Sequence, residues 1–169
     1  MRATRIRRVL LQARGFALSL TSAYIMYTIL GLLTNCKSPI VVVLSGSMEP
    51  GIYRGDLLFL SNNLPQNYVT GDITVYQVAG EAIPIVHRVM QTHTGPEKSS
   101  HLFLTKGDNN DVDDISLYQG LERLEPKHVV GRVRCIIPLV GYVSILINEY
   151  PRLRNGIFGV IGLLNFLHT

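Results

Sequence analysis

Acidic residues are missing from the first 48 positions of the chain, and the whole sequence is short of charge. Only 17% of its 169 residues are Asp, Glu, Lys or Arg, against about 25% in an ordinary soluble domain. Cysteine is equally scarce. Cys36 and Cys135 are the only two, which excludes a disulfide framework and offers no metal-ligand spacing. A bond between them in an oxidising compartment stays open, because sequence does not place them within bonding distance. No Asn-x-Ser/Thr acceptor occurs, no internal repeat is visible, and the 15 glycines and 8 prolines follow no period. Collagen-like and low-complexity readings therefore fall away. What is plentiful is apolar: 47% hydrophobic residues, too many for a disordered chain. The length fits one domain of ordinary size.

The net charge of +4 and pI near 9.2 invite a nucleic-acid reading, but position argues against it. Arg2, Arg5, Arg7, Arg8 and Arg14 carry the excess; without those five, 11 basic residues face 12 acidic ones. Behind them, Gly15 to Thr34 form 20 consecutive residues without a charge. As a helix rising about 1.5 Å per residue, that stretch spans roughly 30 Å, the thickness of a bilayer's hydrocarbon core. Arginine-rich flanks stay on the cytoplasmic side, and the far flank offers only Lys37. The expectation is an N-terminus in the cytoplasm with the bulk of the chain exported. A cleavable leader competes, with Thr21-Ser22-Ala23 as its small-x-small site, but apolar residues continue past that point. Gly15, Ser19, Ala23, Tyr27 and Gly31 fall four apart on one face, a spacing that permits close helix packing in lipid and is also common in spans generally.

Between Lys37 and Tyr150, short apolar runs alternate with turn residues. Ile40–Leu44, Leu57–Leu60, Ile73–Val78, Ile83–Met90, Leu102–Thr105 and Val129–Ile137 all read as strands, being short, rich in β-branched residues and bounded by Gly, Pro, Asn or Asp. The fold class expected is mainly β, a barrel or sandwich on a single N-terminal transmembrane helix. Val140–Ile147 is ambiguous between strand and short helix. Asn155–Leu167 is a second apolar stretch, too short to span a bilayer and better suited to its interface. The organisation expected is a basic N-terminus over 1–14, a transmembrane helix over 15–34, a β-rich exported domain over 35–154 and an apolar membrane-interacting segment with a short helix over 155–169.

Ser45-Gly46-Ser47-Met48-Glu49-Pro50 follows a strand directly, and a serine leaving a strand through a glycine turn can hold its hydroxyl exposed. Ser and Gly are also ordinary turn residues. Acyl transfer needs a base within about 3 Å of the serine, a partner orienting that base, and oxyanion donors. Of five histidines, His87 alone sits inside an apolar strand run, where a packing role is the commoner one. Asp56 and Asp72 each precede a strand as turn residues, and Arg54-Gly55-Asp56 is a turn entering one rather than an adhesion tripeptide. Asp108 opens a polar, acidic run ending at Asp114. As a calcium loop that run lacks the Gly and the Glu at the required positions, where Asp113 and Gln119 stand. Lys106 is a rival base, in a polar loop where nothing desolvates it.

In order along the chain, Ser-Gly-Ser-Met-Glu-Pro at 45–50, Ile-Pro-Ile-Val-His-Arg-Val at 83–89 and Lys-Gly-Asp-Asn-Asn…Asp at 106–114 resemble the boxes of type I signal peptidases. The resemblance is nearest to the Sec11-type catalytic subunits of the eukaryotic endoplasmic-reticulum signal peptidase complex. It covers nearly the whole sequence, the N-terminal anchor and Val-Gly-Arg-Val at 130–133 included. It implies a membrane-bound serine endopeptidase without a cofactor, with Ser47 as nucleophile and His87 as base where bacterial relatives use lysine. Asp108 and Asp114 match the family's acidic positions, either of them able to orient His87, and Ser45 matches an oxyanion-hole serine. The partners implied are signal peptides, other subunits of a membrane complex and lipid, with no nucleic acid, and the location implied is the endoplasmic-reticulum membrane. A tethered β domain that binds without catalysis is the other reading. Only 13 residues separate Thr34 from Ser47, a reach of at most about 45 Å, so the serine is expected close to the bilayer surface.

Overall fold

A computed structural model of the chain describes residues 2–62, 67–78, 80, 83–94, 101–152, 154–156, 159 and 160. Helix α1 runs from Arg2 to Thr34, 33 residues without a proline. It therefore takes in the basic segment as well as the uncharged one. Within it, Ile6–Thr34 is long and apolar enough to cross a membrane, and none of its most apolar stretch is buried inside the molecule. Its hydroxyls turn back on the helix: Thr21 and Thr28 donate to the carbonyls of Ala17 and Tyr24 at 2.8 and 2.9 Å. That is the arrangement lipid demands, since hydrocarbon offers no partner for a polar group.

The helix ends with Asn35 in the left-handed region, at φ 49°. The Cys36 N–H reaches back to the Gly31 carbonyl at 3.0 Å and the Asn35 N–H to that of Leu32 at 3.3 Å, the paired bonds of a Schellman stop. The next domain grips this end. The Asn62 N–H donates to the Thr34 carbonyl at 2.8 Å, the Asn35 amide donates to the Asn62 carbonyl at 3.0 Å, and the buried Cys36 thiol points to the Val130 carbonyl. Both cysteines are free, Cys36 buried and Cys135 exposed.

Six strands form one antiparallel sheet: β1 (Ile40–Val42), β2 (Leu57–Ser61), β3 (Ile73–Tyr76), β4 (Ile85–Thr94), β5 (His101–Lys106) and β6 (Val129–Ile137), in the order β1-β2-β6-β3-β4-β5. All six expected runs become strands. β6 is the hinge of the topology, pairing with β2 through Leu57↔Ile137 to Ser61↔Arg132 and with β3 through Thr74↔Arg132 to Tyr76↔Val129. Ladder irregularities at Phe59/Leu60, Val75/Tyr76 and Val89/Gln91 bend the sheet. Thr74, Val75 and Tyr76 of β3 are all buried, so the strand is covered on both faces. One apolar cluster gathers Tyr76, Val89, Phe103, Tyr118 and Leu124; the other gathers Met48, Ile52, Leu58, Leu60 and Val75.

β4 starts later and ends later than its apolar run. Its far end, Gln91-Thr92-His93, is polar because it forms an exposed hairpin arm with β5. The ambiguous run Val140–Ile147 resolves as helix α2, Tyr142–Glu149. Residues 151, 152, 154–156, 159 and 160 are helical too; the rest of the expected interfacial segment over 155–167 lies outside the described residues.

Arg54-Gly55-Asp56 is a turn entering β2, as its sequence implies. The buried Asp56 carboxylate accepts the N–H groups of Tyr53 and Leu139 at 2.9 and 3.1 Å. Gly55 has φ +91°, and a Cβ there would meet the Tyr142 ring at 2.2 Å. Gly55→Ala is expected to destabilise the domain by about 2–4 kcal/mol, from backbone strain plus overpacking. A thermal melt checks this, and an unchanged midpoint contradicts it.

Candidate active site

β1 runs out into the turn that carries Ser47. The neighbours of Ser47 fix this turn: Met48 and Ile52 are both 1% exposed in the second apolar cluster, and the Ile52 N–H bonds the Met48 carbonyl at 3.0 Å. A second segment, 60 residues on, holds the turn from the other side. The Asn109 N–H donates to the Ser47 carbonyl at 2.8 Å and its side-chain amide to the Gly46 carbonyl at 3.1 Å. Gly107 is required for that approach, because a Cβ would sit 2.7 Å from the Ser47 carbonyl oxygen. Asn109 thus acts on the serine through its backbone, a role the sequence alone did not assign.

His87 stands on β4, 3% exposed. Its Nε2 lies 3.0 Å from Ser47 Oγ and its Nδ1 lies 2.5 Å from Asp114 Oδ2. An ionised carboxylate only accepts, so Nδ1 carries the ring proton and Nε2 is left to accept the Ser47 hydroxyl proton. Asp114, 1% exposed, enters from the loop after β5, where its N–H bonds the Thr105 carbonyl at 3.1 Å. The Ser45 hydroxyl is 3.2 Å from that of Ser47 and exposed.

The two candidate acids are thereby separated. Asp108 does not reach His87; it forms a bidentate pair with Arg88, at 2.8 Å from Nε and 2.7 Å from Nη2. Arg88 Nη1 donates in turn to the Gly71 carbonyl at 3.0 Å. The Arg88 guanidinium holds the Asp108 carboxyl below the usual carboxylate range. Strand alternation explains the split, since neighbouring His87 and Arg88 point to opposite faces. Register decides Lys106 as well. It pairs with Arg88 across the β4–β5 ladder, whereas Thr105 pairs with Val89. Directly opposed residues share a face, so Lys106 lies on the Arg88 side and Thr105 on the His87 side.

Two residues that no sequence signal marked complete the site. Tyr76 Oη donates to Asp114 Oδ2 at 3.1 Å, and Thr105 Oγ1 donates to the same oxygen at 2.6 Å. Burial, and then the Asp114 charge, push the Tyr76 phenol far above its ordinary pKa, so it stays a donor. Among the described residues no group of His, Cys, Asp and Glu could hold a metal ion.

A cavity of about 570 Å³ opens beside the serine. Its lining includes Val41, Val43, Ile83 and Ile85 together with Ser47 and His87. β1 is the terminal strand of the sheet, and the β4–β5 ladder begins only at Arg88. Residues of β1 and of the start of β4 both line the cavity.

No protein-family model matches the chain. Individual proteins do. The signal peptidase complex catalytic subunit SEC11 of Schizophyllum commune is 51% identical over 174 aligned positions, covering 94% of this chain and 90% of that protein. Its counterpart in Yarrowia lipolytica is 47% identical, covering 96% and 94%. The human catalytic subunit SEC11C is 48% identical, covering 92% of this chain and 81% of that protein. With such identity along nearly its whole length, and a serine, a histidine and a carboxylate in one hydrogen-bonded row, this chain belongs to the SEC11 family of signal peptidase catalytic subunits.

Proposed function

We propose that this chain removes signal peptides from preproteins at the endoplasmic-reticulum membrane, as one subunit of a membrane complex, by acyl transfer through Ser47, His87 and Asp114. The observation that carries the reading is the continuous row Ser47 Oγ–His87–Asp114, with bonds of 3.0 and 2.5 Å, at the side of an apolar cavity. Ser47 Oγ attacks the scissile carbonyl while its proton passes to His87 Nε2. Asp114 stabilises the imidazolium that forms. Collapse breaks the C–N bond, and His87 returns the proton to the departing amine, the new N-terminus of the mature protein. Water, deprotonated by the same imidazole, then releases the signal peptide as a carboxylate. Ser45 donates to the developing oxyanion together with the Ser47 N–H, a role its hydroxyl's 3.2 Å distance from that of Ser47 supports. Arg88 anchors Asp108, and the neighbouring Asn109 holds the nucleophile's turn.

The substrate lies extended in the cavity, pairing with the free edge of β1, so that alternate side chains enter the apolar floor. The five N-terminal arginines keep α1's start in the cytoplasm and the domain over 35–154 in the lumen. The segment over 155–169 meets the bilayer where the substrate's apolar helix arrives.

The test is processing of a preprotein by the reconstituted complex in vesicles. Mature-length product is expected, and replacing the small residue before the scissile bond by a bulky one should block it. Preprotein left intact by the wild-type complex would overturn the proposal. Lys106→Ala is expected to retain activity within about twofold, as surface substitutions usually do; a dead Lys106→Ala enzyme would reassign the base.

A further inference from the structure

We infer that Tyr76 and Thr105, backed by Tyr118, are positioning residues that fix the Asp114 carboxylate on His87; this rests on the acyl-transfer reading above. Among the described residues, three hydrogen bonds to the Asp114 side chain converge on Oδ2: His87 Nδ1 at 2.5 Å, Thr105 Oγ1 at 2.6 Å and Tyr76 Oη at 3.1 Å. Oδ1 is buried with no hydrogen-bond partner among the described residues. A carboxylate free to turn has no reason to load one oxygen. Here two hydroxyls from two strands select the oxygen that meets the imidazole and so set the angle of the His87 contact.

Donor counting fixes the order of the network behind it. Thr105 has one hydroxyl hydrogen, and the acceptor-only carboxylate takes it. The Thr105 Oγ1···Tyr118 Oη contact at 2.9 Å must then be donated by Tyr118. Tyr118 Oη in turn accepts the Thr105 backbone N–H at 2.9 Å. The chain therefore runs Thr105 N–H to Tyr118 Oη–H to Thr105 Oγ1–H to Asp114 Oδ2, with every hydrogen pointing toward the carboxylate. Tyr76, Tyr118, Thr105 and Asp114 are each at most 1% exposed, so water does not compete. Tyr76 also packs edge-on against both rings, 6.4 Å from His87 and 5.8 Å from Tyr118. Burial keeps both phenols protonated.

These donors spread the carboxylate's charge over several partners. Without them more of it falls on the imidazolium, which persists to higher pH. The charged or titratable groups facing His87 are Asp114 and Tyr76, with Tyr118 behind Thr105. Asp108 acts only through space and is matched by Arg88, and Lys106 is on the other face.

The experiment compares Tyr76→Phe, Thr105→Val and Thr105→Ser in the intact complex, reading kcat and KM for preprotein cleavage across pH. Tyr76→Phe and Thr105→Val should each lower kcat on the order of tenfold, the scale of one hydrogen bond to a charged group, with KM within about twofold. The acid limb of kcat/KM should move to higher pH. Thr105→Ser keeps the hydroxyl and loses the methyl, so it should stay near wild type. Thr105→Val keeps the shape and loses the hydroxyl. A packing role reverses that ranking, and such a reversal overturns the inference. So do wild-type rates with an unmoved acid limb in Tyr76→Phe and Thr105→Val. Ser47→Ala run alongside separates the two levels: if it cleaves, the acyl-transfer reading itself has failed.

Discussion

Ser47→Ala is expected to leave the complex assembled and the preprotein bound but uncut, with kcat reduced on the order of 10⁴ to 10⁶. The side chain removed is small, and among the described residues its hydrogen bonds go to His87 Nε2 and the exposed Ser45 hydroxyl. Nothing in the second apolar cluster depends on the hydroxyl, since Met48 and Ile52 anchor the turn. The loss therefore falls on the chemical step, because among the described residues the hydroxyl bonded to the imidazole Nε2 is that of Ser47. KM should hold within a few-fold, the cavity walls being untouched. His87→Ala should be as inactive but less clean. It strips a buried carboxylate of its imidazole partner, which costs about 3–5 kcal/mol in comparable buried pairs, and so its melting midpoint should fall as well. Processing rate and thermal melting measured on both variants check this pair of statements. A Ser47→Ala complex that cuts preprotein at a tenth of the wild-type rate would exclude Ser47 as the nucleophile.

The strand positions were legible because β-branched runs between turn residues leave few alternatives, and the long apolar helix because 20 uncharged residues behind arginines do the same. What escaped was decided by three-dimensional register. Nothing in the spacing of Asp108 and Asp114 says which reaches the histidine. The answer depends on Arg88 taking Asp108 on one face of β4 while His87 faces the other. Tyr76 and Thr105 were invisible for a related reason. Each looks like an ordinary strand residue, and only the alignment of β3, β4 and β5 puts their hydroxyls on one oxygen. The polar end of β4 was missed because a solvated hairpin arm carries no apolar signal.

The same sheet also holds the end of the long apolar helix. The Asn62 and Asn35 bonds join the end of β2 to the last turn of α1, and the Cys36 thiol is wedged against Gly131, where a Cβ would lie 2.9 Å from the sulfur. The end of the helix is thus fastened to the sheet rather than joined to it by a free tether.

Asp114→Asn and Asp108→Asn should part company by orders of magnitude. In Asp114→Asn the charge that stabilises imidazolium disappears, and the amide brings a hydrogen-bond conflict. If its oxygen keeps the place of Oδ2, its NH2 occupies the buried position where Oδ1 has no partner. If it turns round, two donor hydrogens face Tyr76, Thr105 and the Nδ1–H, and the ring is driven to the tautomer that cannot accept from Ser47. Either way kcat is expected to fall about 10³- to 10⁴-fold, with KM little changed. Asp108→Asn keeps one acceptor for Arg88 at a site 24% exposed on the acid's side chain. Its effect reaches the serine only through Asn109 and the Ser47 carbonyl, so a loss of about tenfold or less follows, as for a weakened, partly solvated pair. Parallel measurement of kcat and KM on the two complexes decides the matter. Equal losses, or the larger loss in Asp108→Asn, would take the orienting role from Asp114, because only one of these carboxylates touches the imidazole that moves the proton.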